Sequence, residues 1–410
     1  MEPILHEWGS LLLRWTHIIT GMAWIGSSFY FMHLDAHMKP APDIPAGKGG
    51  EAWEVHGGGF YQVKKYLVAP DFLPDDLIWH KWQSYATWIS GFFLLIWLYY
   101  YKSSIYLIDP GVMTLRPFPA FVIGLGGLAL GWFLYDRLCR SSLGNNPMLV
   151  GIIVFTGVVV AAFLYQQVFS PRAAFIHTGA LMATIMTGNV FFVIIPNQHK
   201  VVAMLKAGQI PDPYYGKTAK LRSSHNNYFT LPVVFLMISN HYPLTYSTPY
   251  AYVIVALALV GGTVVRYFYN ERHAGRGDKA WCWAVAAACL LMGILISMTT
   301  TAEGRAALGL PPLVSSAHAR SGPPPTVPAD VQNIVMGRCS MCHAREPVYE
   351  GIAVAPRGIR LDSVEEIARN KELIVMQAGL THAMPPNNIT ELPAEDRLLL
   401  KAWGAGTLKD

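Results

Sequence analysis

Cys339-Ser-Met-Cys342-His343 sets two thiols three positions apart, with an imidazole beside the second. That spacing suits covalent capture of a porphyrin. The two thiols reach the two vinyl groups of one ring, and the adjacent histidine is placed under the iron as proximal ligand. Zinc binding is the competing chemistry, but it wants four nitrogen or sulfur ligands. Residues 329–410 offer no third cysteine, and only His382 beside His343. The motif therefore predicts one covalent haem c. The second axial ligand should stand well downstream on a loop. Met384, in Thr381-His-Ala-Met-Pro-Pro386, meets that need on a proline-stiffened segment, with His382 as its rival. Thioether ligation there raises the potential, which suits an electron acceptor.

A second group of titratable side chains lies in long apolar stretches, where ionisable residues are rare and mark functional sites by default. His17, His177 and His241 fall toward one end of these stretches, and His33, His80 and His225 toward the other. His17 and His33 are 16 positions apart, as are His225 and His241. At 1.5 Å per helical residue that is about 24 Å, most of a bilayer core. Two layers of imidazole are what two stacked membrane haems, or a haem and a substrate site, would require. On that reading His17, His177 and His241 are ligands of one or two haem b groups, and His33, His80 and His225 are catalytic bases. The plain alternative is interfacial histidines in water, or ones bonded to neighbouring helix carbonyls. Gln83, Asn189, Asn227 and Arg266 read as groups that could grip a polar, anionic ligand, with Arg14, Asn226 and Asn240 near them. Trp24, Trp82 and Trp88 could stack on a flat ring, although anchoring at the membrane interface is the commoner role for tryptophan. His37, His199 and His273 read as loop residues. His56-Gly57-Gly58-Gly59 reads as a flexible loop.

The elements that must position these residues follow from composition. Of 410 residues 52% are apolar and 14% charged, well below the quarter typical of soluble domains. Runs of roughly 20 apolar residues, the length of a spanning helix, occur at 9–34, 82–101, 119–138, 148–169, 173–195, 228–243, 249–269 and 280–300. The first is too long for a cleaved signal and reads as a permanent span. Lysine and arginine concentrate in the first, third, fifth and seventh connections, as in Lys64-Lys65, Arg137, Lys217 and Arg272. The positive-inside rule makes those connections cytoplasmic and puts both termini in the periplasm. The two lines agree, since haem c is attached outside the cytoplasm. No Lys/Arg run suggests a nucleic-acid partner.

After the eighth span the composition changes. Ser321-Gly-Pro-Pro-Pro-Thr-Val-Pro328 reads as a stiff linker, and residues 329–410 carry nine basic and eleven acidic side chains. Ser363-Val-Glu-Glu366 is a capping box opening a helix through Ala378, and a closing helix is expected at 398–403. No strand-rich stretch is evident. The expected fold is all-α: a polytopic eight-helix transmembrane domain at 1–302, a proline-rich linker at 303–328, and a small domain at 329–410. The linker, the three-helix pattern and the Met-Pro-Pro loop together resemble a small class I cytochrome c.

The whole arrangement resembles the bacterial membrane-integral urate oxidases, in which an eight-span domain is fused to a C-terminal cytochrome c. The resemblance covers the full chain. It rests on the order of parts and on Gly21-Met-Ala-Trp-Ile-Gly-Ser-Ser-Phe-Tyr30, Val55-His-Gly-Gly-Gly-Phe-Tyr61, Trp79-His-Lys-Trp82 and His225-Asn-Asn-Tyr228. It implies oxidation of urate with water to 5-hydroxyisourate. It also implies transfer of two electrons to the cytochrome, and from there to a downstream cytochrome c or terminal oxidase in the bacterial inner membrane. The alternative is a membrane-anchored cytochrome subunit relaying electrons from quinol or a partner dehydrogenase.

Overall fold

A computed structural model describes residues 2–408 apart from 46, 68–69, 71–72, 102, 110–111, 300–301, 311–325, 351, 353 and 381–382. Most of the expected linker lies outside the described residues, as do Thr381 and His382.

A helix stands at each of the eight expected span positions. They are α1 Glu2–Ala36, α2 Trp82–Leu95 with a π-helical turn Ile96–Tyr100, α3 Pro117–Arg140 and α4 Pro147–Gln166. There follow α5 Pro171–Lys206, which contains a π-turn at Asn189–Ile194, α6 Pro213–Ser239, α7 Ala251–His273 and α8 Trp281–Met298. Among the described residues five of these, α3, α4, α5, α7 and α8, are long and apolar enough to cross a membrane. α2 is only 14 residues long before its π-turn. α1 and α6 are diluted by polar side chains, including Arg14, His17, Arg222 and Asn227. Proline occupies the first turn of α3 to α6, where its missing N–H is no loss. The Asn146, Ser170 and Asp212 side chains accept from first-turn N–H groups of α4, α5 and α6.

α5 is the central helix, buried along most of its length. One face joins Leu95, Tyr100, Leu128 and Tyr165 through Leu181 and Ile185, and the other joins Val158, Leu236, Val255 and Leu259 through Met182 and Met186. α8 lies at the rim, with Leu290, Leu291 and Met292 exposed. α6 and α7 approach backbone to backbone. A Cβ on Gly262 would lie 2.7 Å from Pro232 Cδ. Pro232, inside α6, has no N–H for the carbonyl one turn back.

Residues 49–66 correct the expectation of a flexible loop. They form an antiparallel hairpin, β1 Gly49–His56 and β2 Gly59–Tyr66, with His56 opposite Gly59. Gly57 and Gly58 have φ of 57° and 82°. This is the left-handed backbone that a two-residue hairpin turn demands, and glycine adopts it without strain. The hairpin is pinned to α1 twice: Tyr30 Oη donates to Glu54 at 2.6 Å, and Lys65 pairs with Asp35.

The C-terminal residues pack α9 Ala329–Arg338, α10 Val364–Arg369 and α11 Ala394–Gly404 around Val331, Val335, Ile367, Leu400 and Trp403. Ser363 caps α10 as expected, accepting from Glu366 N at 3.3 Å. The helix does not run on to Ala378, however. Asn370 Nδ2 donates to the Glu366 carbonyl at 2.8 Å, and the chain continues as a short turn Lys371–Ile374 and a π-turn Val375–Leu380. This unit is seated on the helical half by Arg369, which pairs with Asp109 at 3.2 Å.

Candidate functional site

The chemistry-bearing residues gather at three places. In the C-terminal unit, Cys339 ends α9 and the chain turns sharply, with His343 N donating to Cys339 O at 2.9 Å. Neither Cys339 nor Cys342 is in a disulfide, and burial pushes the Cys339 thiol up to about 12. His343 Nδ1 lies 2.9 Å from the Ile359 carbonyl oxygen. A carbonyl only accepts, so Nδ1 carries the proton and Nε2 keeps its lone pair. That is the tautomer of a metal-ligating histidine held by a backbone carbonyl. Burial also lowers the His343 pKa, favouring this neutral form. The Met384 loop is fixed by its backbone. Met384 N donates to Gln377 O at 2.8 Å, and Met384 O accepts from the buried Arg397 at 2.9 Å. Met384 packs against the same core as Cys339. Two free thiols, an oriented imidazole and a thioether are a donor set that fits a covalently held haem.

The second place is a cavity of about 270 Å³ between α1, α2, α5 and the end of α6. Its walls are mostly hydrocarbon and ring, with Trp24, Trp88 and Phe92 among them, and His17 and His241 both line it. His17 Nδ1 is held on α2 by the Thr87 carbonyl at 2.9 Å and Ser90 Oγ at 3.1 Å, so Nε2 is the nitrogen left to an occupant. Gly91 makes this seat possible, because a Cβ there would lie 2.8 Å from His17 Cε1. His177 is elsewhere. Fully buried, it uses Nδ1 on Ala173 O at 2.8 Å and Nε2 on Tyr100 Oη at 3.0 Å. Of three expected haem b ligands, the fold thus brings two to one cavity and locks the third. The cavity lies just under the range of about 300–1,000 Å³ that encloses drug-sized ligands. A single- or double-ring ligand fits it.

The third place is the opposite end of the helices, where two polar networks share α6. In one, His225 Nδ1 bonds Tyr135 Oη at 2.7 Å, and Asn189 joins Tyr135, Asn226 and Arg222 at 3.0, 2.9 and 3.1 Å. Arg222, almost fully buried, pairs with Asp136 at 2.7 Å. His225 and Asn189 are therefore already partnered within the protein. In the other network Arg266 Nε donates to Asn227 Oδ1 at 2.8 Å, and Asn270 Nδ2 donates to the same oxygen at 3.1 Å. Because arginine only donates, the amide orientation is settled: Asn227 Nδ2 points away, buried and without a hydrogen-bond partner among the described residues. The Arg266 guanidinium lies 4.2 Å from the centre of the Phe29 ring. Phe29 and His33 stand four residues apart on α1, with His37 in the turn just past its end, and Arg266, Asn270 and His273 share one face of α7. The two faces meet, with ring centres 4.7 Å apart for His33–His273 and 5.8 Å for His37–His273. His80 and Gln83 stand apart, 3.4 Å from each other, with the His80 ring against Phe31.

So Asn227 and Arg266 bond each other and His33 lies one turn along α1 from the Phe29 ring that Arg266 covers, while Asn189, His225, His80 and Gln83 do not join them. His37 lies in a turn, as read, whereas His273 closes α7; reading both as loop residues missed their place in this group. The signal was the four-residue spacing from His33, hidden by ending the first span at 34 when α1 runs to Ala36. Among the described residues no cluster of three His, Cys, Asp or Glu side chains is arranged to hold a metal ion.

The family model described as urate oxidase N-terminal matches residues 3–298. The chain belongs to that family, which ties it to urate and to the oxidoreductases. No curated protein and no solved structure matches it.

Proposed function

We propose that this chain oxidises urate with water to 5-hydroxyisourate at the α1–α6–α7 cluster. A haem c held on the C-terminal unit would take the two electrons and pass them to a downstream cytochrome c or terminal oxidase. The chain is a multi-pass protein of the bacterial inner membrane, with both termini and the C-terminal unit in the periplasm. The observation that carries the reading is the Asn227–Arg266 pair beside His33, in a chain of the urate oxidase N-terminal family.

Urate is a planar anion at neutral pH, edged by carbonyl and N–H groups. Arg266 supplies the cation, and Asn227 Nδ2 supplies a donor with no competing partner among the described residues. A buried donor of this kind costs about 1–3 kcal/mol while unmet, so a carbonyl ligand recovers that cost. His33, on the next turn of α1 from Phe29, takes the proton of the attacking water, the usual role of a neutral imidazole. The balance is urate plus water to 5-hydroxyisourate, two protons and two electrons. Cys339, Cys342, His343 and Met384 would hold a haem on this unit, and it would supply one-electron acceptance.

The test is direct. Urate is added without oxygen to the oxidised, isolated protein, and the reduced haem c band is followed. Reduction by urate alone is expected. Reduction only with quinol or a partner subunit would replace this reading with that of an electron relay.

A further inference from the structure

The cavity behind His17 has its own chemistry. It is not the urate cluster: Trp24 on its wall and Phe29 at the cluster are separate turns of α1, and its lining carries little polar surface for an anion to meet. Its mouth faces outward between α1 and α6. Ile18 and Ile238 line it and are 58% and 53% exposed, which in a membrane-spanning bundle places them against lipid. A ligand entering there arrives from the hydrocarbon. Inside, two polar atoms lack protein partners among the described residues: His17 Nε2, left free by the Thr87 bond, and Thr187 Oγ1, which is buried. Trp88 and Phe92 stack on each other in the wall, ring centres 5.1 Å apart and 11° from parallel, offering flat surface to a flat ring.

We propose that this cavity binds the headgroup of a membrane quinone, giving the chain a second electron exit that bypasses the C-terminal haem. A lipid-soluble ring with two oxygens matches the cavity on each count. Size is set by the volume of about 270 Å³, and entry by the apolar mouth. One oxygen donates as the quinol hydroxyl to the lone pair of His17 Nε2, and the other accepts from Thr187 Oγ1. The position also fits, since the cavity spans α1 between the urate cluster and the end of α6. The redox step rests on the urate reading and balances: urate, water and quinone give 5-hydroxyisourate and quinol. The two electrons and two protons released from urate and water are those the quinone takes up. Binding of the ring does not rest on urate at all.

The experiment uses the full chain in lipid nanodiscs and decylubiquinol, whose hydroxyl can donate to His17 Nε2, as the binding probe, read by quenching of tryptophan fluorescence and, separately, by anaerobic urate-driven reduction of decylubiquinone in Cys339→Ala, which lacks the covalent haem. Saturable quenching and urate-driven quinone reduction without the haem are expected. His17→Phe should weaken binding at least tenfold, and the near-isosteric Thr187→Val severalfold, while both keep urate-driven haem c reduction. Quenching that does not saturate, or that is unchanged in both variants, overturns the site. So does a b-type component in the pyridine haemochrome spectrum that disappears in His17→Phe, because a porphyrin would then be the occupant. If urate fails to reduce the protein while saturable, His17-dependent quinol binding persists, the site stands and only the urate reading falls.

Discussion

Arg266 and Asn227 share a hydrogen bond of 2.8 Å that turns the Asn227 amide so its two hydrogens face inward. Among the described residues no acceptor uses them. Asn227→Asp, with acceptors where the donors were, should raise the KM for urate by about 10- to 150-fold, the value of a hydrogen bond to a charged ligand at about 1.5–3 kcal/mol. Urate titration of haem c reduction measures it. An unchanged KM would remove Asn227 from the substrate.

His33→Gln keeps a polar side chain on the same face of α1 but no base. The expected result is a fall in kcat of about 100-fold or more, with KM nearly constant, as for loss of a general base. A matching loss in His225→Gln is not expected, because His225 is occupied by Tyr135 at 2.7 Å.

Arg222 and Asp136 call for a stability test. Asp136→Ala leaves an almost fully buried guanidinium without its carboxylate. Breaking such a pair costs about 3–5 kcal/mol, so the thermal unfolding midpoint in detergent should drop by several degrees. The surviving folded fraction should keep its KM for urate. A change in KM without loss of stability would assign this network to the substrate after all.

Cys339→Ala or His343→Ala should abolish covalent haem in a peroxidase-stained denaturing gel, along with urate turnover on the natural acceptor. Met384→Leu should keep the covalent haem and lower its reduction potential, because the thioether that favours the reduced iron is gone. If potentiometry finds no shift, another residue is the second ligand.

The helical architecture was legible because apolar runs and proline-led helix starts are local signals. The hairpin was not read, although Gly57-Gly58 marks its turn. Its stability comes from Tyr30 and Asp35 on α1, partners far off in sequence. The site was half legible. Asn227, Arg266 and His33 stood out as polar groups in apolar surroundings. Type and depth alone gave no reason to separate them from Asn189 and His225, whose neighbours already satisfy them. Similarly, His17 and His177 look alike in sequence, yet Gly91 seats one at a cavity wall and Tyr100 seals the other.

Gly262 and Pro232 touch where α7 and α6 cross. One turn along α7 stands Arg266, and five residues back along α6 stands Asn227. The crossing therefore acts as a fulcrum. A methyl group at 262, chemically inert and out of reach of any ligand, would lever the two helices apart and open the arginine–asparagine bond, silencing the enzyme without altering one reactive atom.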